Sequence, residues 1–314
     1  MPAQHLRHVN VRSRQTFPNH TEGAETVPVD PLMSIIIKHP AYPVTSDTLL
    51  TLKASDDSRG GIHHDTLLII CGILANNRFD GYLAETAVGP AITEPRSAIL
   101  RRRIYYFCVT PPDGQTEPYK YPVVPSFSHW RFPHKALPDS WAQAMKTHEP
   151  ARQSSTDHSE MSRARIARGS SCLISLHEDE SESASLCPPS EMDWFENNIM
   201  SIYAKNDPMA GLNDICNAIF LRADINQQFE KRGFVIVPKL TQDGKTPWVV
   251  HYLSEPQQSR KLYHNVELQD ISNLSAEYLF ARLAWSVLPL LSRFLKINAR
   301  TNLLVVVEQG RKLV

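Results

Sequence analysis

The chain has 314 residues, 42% of them apolar, with 33 Lys and Arg against 33 Asp and Glu and therefore no net charge. That apolar share supports a packed core and excludes whole-chain disorder, while the balanced charge lacks the basic excess of a constitutive nucleic-acid binder. Five cysteines (71, 108, 172, 187 and 216), without a CxxC pair, speak against a disulfide scaffold or a cysteine zinc site and for reduced thiols inside a cell.

No apolar run reaches the ~20 residues needed to span a bilayer. The most apolar stretch, 283–291, contains Pro289 and follows Arg282. Residues 1–28 have no apolar segment of the secretory kind, and Arg7, Arg12 and Arg14 all precede the first acid, Glu22, a faint transit-peptide pattern. The expected location is intracellular, cytoplasmic or nuclear, with neither secretion nor a membrane.

In chain order, residues 1–31 read as a disordered leader ending in Pro28-Val29-Asp30-Pro31. A first α+β module is expected over 32–145. Ile35-Ile36-Ile37 and Leu49-Leu50-Thr51-Leu52 are short strand patterns, and Ile104 to Val109 reads as a buried strand. A helix is expected from Asp65 as N-cap, with Leu67, Leu68, Cys71, Leu74 and Ala75 at helical spacing up to Asn76-Asn77. Residues 146–170 carry Ser, Arg, His and Ala with almost no large apolar groups, the composition of a linker.

A second module follows over 171–296. It opens with an extended Cys172-Leu173-Ile174-Ser175, then the acidic turn His177-Glu178-Asp179-Glu180 and a second extended piece from Glu182. Ser190 is expected to start a helix carrying Trp194, Phe195 and Met200. A short helix from Ala223 to Arg232, strands at Phe234–Pro238 and Trp248–Leu253, and a final helix from Ser275 complete it. Residues 297–314 form a tail, either a short strand or a ragged end.

These blocks resemble the HNH-nuclease domain of many fungal proteins. The resemblance rests on Cys172-Leu-Ile-Ser, Ser190-Glu-Met-Asp-Trp-Phe195, Asn217-Ala-Ile-Phe-Leu-Arg-Ala-Asp224, Phe234-Val-Ile-Val-Pro-Lys239, Leu262-Tyr-His-Asn-Val266 and Tyr278-Leu-Phe-Ala-Arg-Leu-Ala-Trp285. The first module contributes His39-Pro-Ala-Tyr-Pro43, Asn77-Arg-Phe-Asp-Gly-Tyr82 and Val124-Pro-Ser-Phe-Ser-His-Trp-Arg-Phe-Pro133. It implies an α+β chain whose second module is a ββα-metal fold ending in a C-terminal helix.

In such a site a His closing a strand deprotonates the attacking water, an Asn orients it and pins the loop, and a His on the short helix holds a divalent cation against the phosphate. The resemblance places the first His position on Ser185, the Asn position on Asn217 and the metal-ligand position on Asn226. An unactivated hydroxyl is no general base near neutral pH, and losing that function costs about 10²–10⁴-fold in rate. The expectation is therefore a catalytically degenerate HNH-like protein used for binding or scaffolding. Its rivals are a live Mg²⁺- or Mn²⁺-dependent DNA endonuclease and a repurposed enzyme of fungal secondary metabolism working on a small molecule. The partner is then DNA, a protein or a small molecule.

Other patterns read more plainly. His177 is a solvated turn residue. His63-His64-Asp65 fits helix capping better than a metal cluster. Tyr263-His264-Asn265 suggests a structural hydrogen-bonding His. Trp130 to His134 with Trp141 suggests core packing. The clusters Arg101-Arg102-Arg103 and Arg163, Arg165, Arg168 read as solvated.

Overall fold

The computed structural model describes residues 8–13, 34–112, 118–148, 171–177, 181–205, 207–254, 257–268, 271–300 and 303–306. Side-chain alternation builds the first sheet: in β1 (Ser34–Lys38) Ile35 and Ile37 are buried while Ser34, Ile36 and Lys38 are half-buried. Its strands run β2-β1-β6-β4, with β2 at Thr48–Lys53, β4 at Tyr82–Ala84 and β6 at Ile104–Cys108. Here β1 and β6 are parallel and the other pairs antiparallel. Three two-stranded pieces complete the strands: β3 (Ile62–His63) with β5 (Ile99–Leu100), β7 (Ser181–Ser185) with β8 (Ala218–Arg222), and β9 (Phe234–Pro238) with β10 (Trp248–Tyr252).

Two buried helices join these pieces. Every residue of α1 (His64–Leu74) is buried. Gly72 lets the Phe79 ring close on it, since a β-carbon there would lie 2.5 Å from a ring atom. After α2 (Asp139–His148), α3 (Met192–Asn197), α4 (Ala223–Glu230) and α5 (Gln257–Tyr263) comes α6 (Ala276–Val287), capped by the Ser275 hydroxyl and packed on β9 and α1. A 3-10 turn over Leu288–Leu291 and α7 (Ser292–Asn298) continue it against β2.

The chain is thus α+β, but residues 32–145 and 171–296 share one continuous core. Trp130 stacks on Trp194 at 5.6 Å between ring centroids, and the Trp194 indole N–H donates to the Trp130 carbonyl at 2.7 Å. Trp130 and Trp141 are both core residues.

Several expectations change. Part of the leader is structured: His8 bridges Ala98, Arg12 bridges Val266, and the Arg12 guanidinium caps the carbonyls of Lys261, Leu262 and His264. Of the linker expected over 146–170, residues 146–148 belong to α2, which runs to His148; residues 149–170 lie outside the described set. His63, not Asp65, caps α1, its ring accepting the Thr66 N–H, while Asp65 pairs with Arg96 at 3.0 Å. Residues Cys172–Ser175 make a tight turn rather than a strand, leaving one backbone bond from Leu173 to Phe220 of β8. The Trp194 helix ends at Asn197 because Ile199 takes φ 51°, so Met200 sits in a separate 3-10 turn.

Ala276–Asn298 forms one helical run long and apolar enough to cross a membrane by length and composition, contrary to the sequence expectation. Of its apolar window 72% is buried inside the fold, which makes it a core element. In the tail, Val305 bridges Val123, and residues 307–314 lie outside the described set.

Candidate functional site

Of the two extended pieces expected before the excursion only the second, β7, is a strand; it pairs antiparallel with β8, a strand not expected from sequence, with Ser185 opposite Ala218, and β8 runs directly into the expected helix α4. Asn217 precedes β8 and is buried. Its amide oxygen accepts the Cys187 N–H at 2.8 Å, and its amide nitrogen donates to the carbonyls of Cys187 at 3.1 Å and Leu212 at 2.8 Å. With the Leu186 N–H on the Asn217 carbonyl at 2.8 Å, both ends of the excursion between the strands are locked together. Asn217 thus ties the base of the excursion together.

Ser185 and Asn226 are not brought together. Side chains alternate along β7, so Glu182 and buried Ala184 share one face while Ser183 and Ser185 stand on the other. Asn226, on α4, donates to the Glu182 carboxylate at 2.8 Å, placing α4 on the Glu182 face. Among the described residues no hydrogen bond reaches the Ser185 hydroxyl; its carbonyl accepts from Arg282 at 3.3 Å. His177 is exposed, and the acidic turn 178–180 lies outside the described residues.

A divalent cation of the ββα-metal kind does not fit these donors. Asn226 Oδ1 is buried without a partner and Glu182 is its neighbour, but no imidazole joins them among the described residues. Without a histidine, one carboxylate and one amide oxygen do not reproduce the ligand set that the resemblance implies.

Arg282 braces the end of β7. Its guanidinium lies 3.6 Å from the Phe229 ring centroid and 4.4 Å from that of Trp285, and donates to the carbonyls of Ser185, Leu186 and Phe229. Arg232 covers Trp285 at 3.7 Å. Burial pulls the Arg282 guanidinium down to about 10.

A second constellation is fully internal. Three patterns that look unrelated in sequence (His63, Lys239 and His264-Asn265) meet there with Asp56 and His251. Lys239, next after β9, donates to Asp56 Oδ1, to His251 Nδ1 at 2.9 Å and to Asn265 Oδ1 at 2.7 Å. Asp56 Oδ1 also meets His264 Nε2 at 2.7 Å, and Asp56 Oδ2 accepts the His63 N–H at 2.7 Å. The Asp56 loop turns on Gly61 at φ 126°, where a β-carbon would strike Ile99 at 2.4 Å.

Burial disfavours the Asp56 carboxylate, yet Lys239 and His251 hold it well below the usual carboxylate range. Burial, reinforced by Lys239, pushes His251 down to about 3, and burial also lowers His264. Both imidazoles are therefore neutral at pH 7. Asp56, His251 and His264 each offer one ligand atom, all within 4.8 Å of one another, a grouping that could hold a metal ion. In the folded chain the Lys239 ammonium, with three N–H donors and three acceptors, is the cation present there.

Asp56 and His251 carry no sequence signal of their own. Asp56 sits in Ser-Asp-Asp-Ser-Arg-Gly-Gly, which reads as a solvated turn, and His251 interrupts an apolar strand. The usable hint is Lys239 itself, a charge directly after five buried residues.

No protein-family model, curated protein or solved structure matches the chain.

Proposed function

We propose that the chain is an HNH-like protein that has kept a ββα framework without its cutting chemistry and acts by binding or scaffolding. The observation that carries this reading is the pairing of an intact loop brace at Asn217 with a bare hydroxyl at Ser185. Attack on a phosphodiester needs a base to take the proton of water, and among the described residues no partner of the Ser185 hydroxyl would make it one. Asn226 bonds to Glu182 and completes no metal-ligand set, so the second requirement is missing as well. The framework is held by packing and by Arg282, both independent of the lost chemistry. As in the sequence expectation, the proposed location is cytoplasmic or nuclear.

Zero net charge argues against tight, salt-dependent binding to duplex DNA, so a protein or small molecule is the favoured ligand class. The test is titration of a labelled DNA duplex with the full chain in Mg²⁺ and Mn²⁺, reading anisotropy and strand integrity together. Unbroken strands support the reading, whether or not the duplex binds. Strand scission that needs the metal overturns it.

A further inference from the structure

The groups around Lys239 are arranged as a metal's ligands are arranged. His251 Nδ1 and Asp56 Oδ1 lie 3.7 Å apart, close to the roughly 3.4 Å edge of a tetrahedral site with bonds near 2.1 Å. Asn265 Oδ1 completes a three-atom face around the Lys239 nitrogen. Two of the three ligand-bearing groups are also held from behind: Asp56 by the His63 N–H, and Asn265 by a 3.4 Å contact from its amide nitrogen to the Asp56 carbonyl.

His264 belongs to this shell in a different role. Its Nδ1 accepts the Tyr252 N–H at 3.0 Å, so the one proton of the neutral ring sits on Nε2 and is given to Asp56. A ring whose Nε2 carries a proton cannot ligate through that atom. It orients the carboxylate, as a histidine or carboxylate behind a metal ligand does.

We propose that Asp56, His251 and Asn265 form a transition-metal site that the side chain of Lys239 fills and keeps closed. One carboxylate oxygen, one imidazole nitrogen and one amide oxygen suit Zn²⁺ or Co²⁺. The ammonium competes for the same lone pairs and cannot leave, being tethered to β9. The native chain therefore takes no ion at this position, although its ligand set is complete without the lysine.

The test uses the full-length protein and Co²⁺, whose tetrahedral complexes absorb in the visible. Lys239→Ala opens the cage and should give a Co²⁺ band and a rise in Tm on adding the ion. The native chain and Lys239→Met, which plugs the space, should give neither. Adding His251→Ala to Lys239→Ala should abolish the band, whereas adding His264→Ala should weaken binding by about 10–100-fold, the loss expected of an orienting group. Lys239→Ala, like Lys239→Met, leaves Asp56 buried without a counter-charge and can unfold the chain. In that event, recovery of native tryptophan fluorescence with Co²⁺ supports the proposal, while recovery with ethylammonium alone, a detached copy of the lost group, or with neither overturns it. A folded Lys239→Ala chain without a Co²⁺ band, or a native chain binding Co²⁺ as tightly as the variant, also overturns it.

Discussion

The side-chain amide of Asn217 reads both backbone groups of Cys187, accepting its N–H at 2.8 Å and donating to its carbonyl at 3.1 Å across thirty positions of sequence. One residue thereby closes the excursion between β7 and β8. Asn217→Ala would strand the backbone groups of Cys187 and Leu212 in a buried setting, and such losses cost about 1–3 kcal/mol each, partly relieved by water. A net destabilisation of about 3 kcal/mol is expected in urea unfolding followed by tryptophan fluorescence. A change under 1 kcal/mol would mean that the loop is held elsewhere.

Arg282 tests whether geometry or charge anchors the end of β7. Lysine keeps the charge but loses the planar fork and the stacking on Phe229 and Trp285. Arg282→Lys should lower stability by about 2 kcal/mol, seen as a fall in Tm. An unchanged Tm would show that a positive charge alone suffices.

The Asp56–Lys239 pair should couple strongly. Removing one partner leaves the other buried and uncompensated, a loss of about 3–5 kcal/mol for Asp56→Ala or Lys239→Met alone. The double variant should be markedly more stable than the sum of the two losses implies. Additive losses in a double-mutant cycle would argue that the two side chains do not share one network.

Stability should fall on acidification, with a sign that follows from three buried imidazoles. Burial pushes His39 and His251 down to about 3 and His63 to about 4, below the ordinary value of 6.5. Between those values and 6.5 the unfolded chain binds protons that the folded chain refuses. The stabilisation is complete above about pH 6.5 and declines as pH drops towards 4, each site contributing up to about 1.4 kcal/mol per pH unit. Urea midpoints at pH 7.5, 6 and 5 check this, and a flat profile would contradict the buried placement of these rings.

Local patterns were legible where one face or one cap decides the structure: the alternating Ile35 and Ile37, the strand Phe234–Pro238 and the Ser275 cap all read directly from sequence. The resemblance singled out Asn217, but its bonds to Cys187 and Leu212 could not be read from sequence. The Asp56–Lys239 network was not legible, because its members come from five separate segments and each alone has an ordinary explanation. Nor could the excursion of residues 186–217 be drawn from sequence, since its path depends on two positive-φ residues, Ile199 and Gly211, and on the buried amide of Asn217. The strand expected at Cys172–Ser175 failed because the segment closes on itself, Leu176 donating to the Cys172 carbonyl and Cys172 to that of His177, so that only Leu173 reaches β8.

The proposed loss of cutting chemistry is tested most directly by incubating supercoiled plasmid with the purified full chain, in Mg²⁺ and in Mn²⁺, from pH 6 to 9 (a range bracketing ordinary imidazole titration). The predicted result is no nicked circle above the buffer control at any pH, with or without EDTA. Nicking that co-purifies with the chain, stops in EDTA and disappears in Asn226→Ala would contradict the account and return Ser185 and its surroundings to the status of an active site.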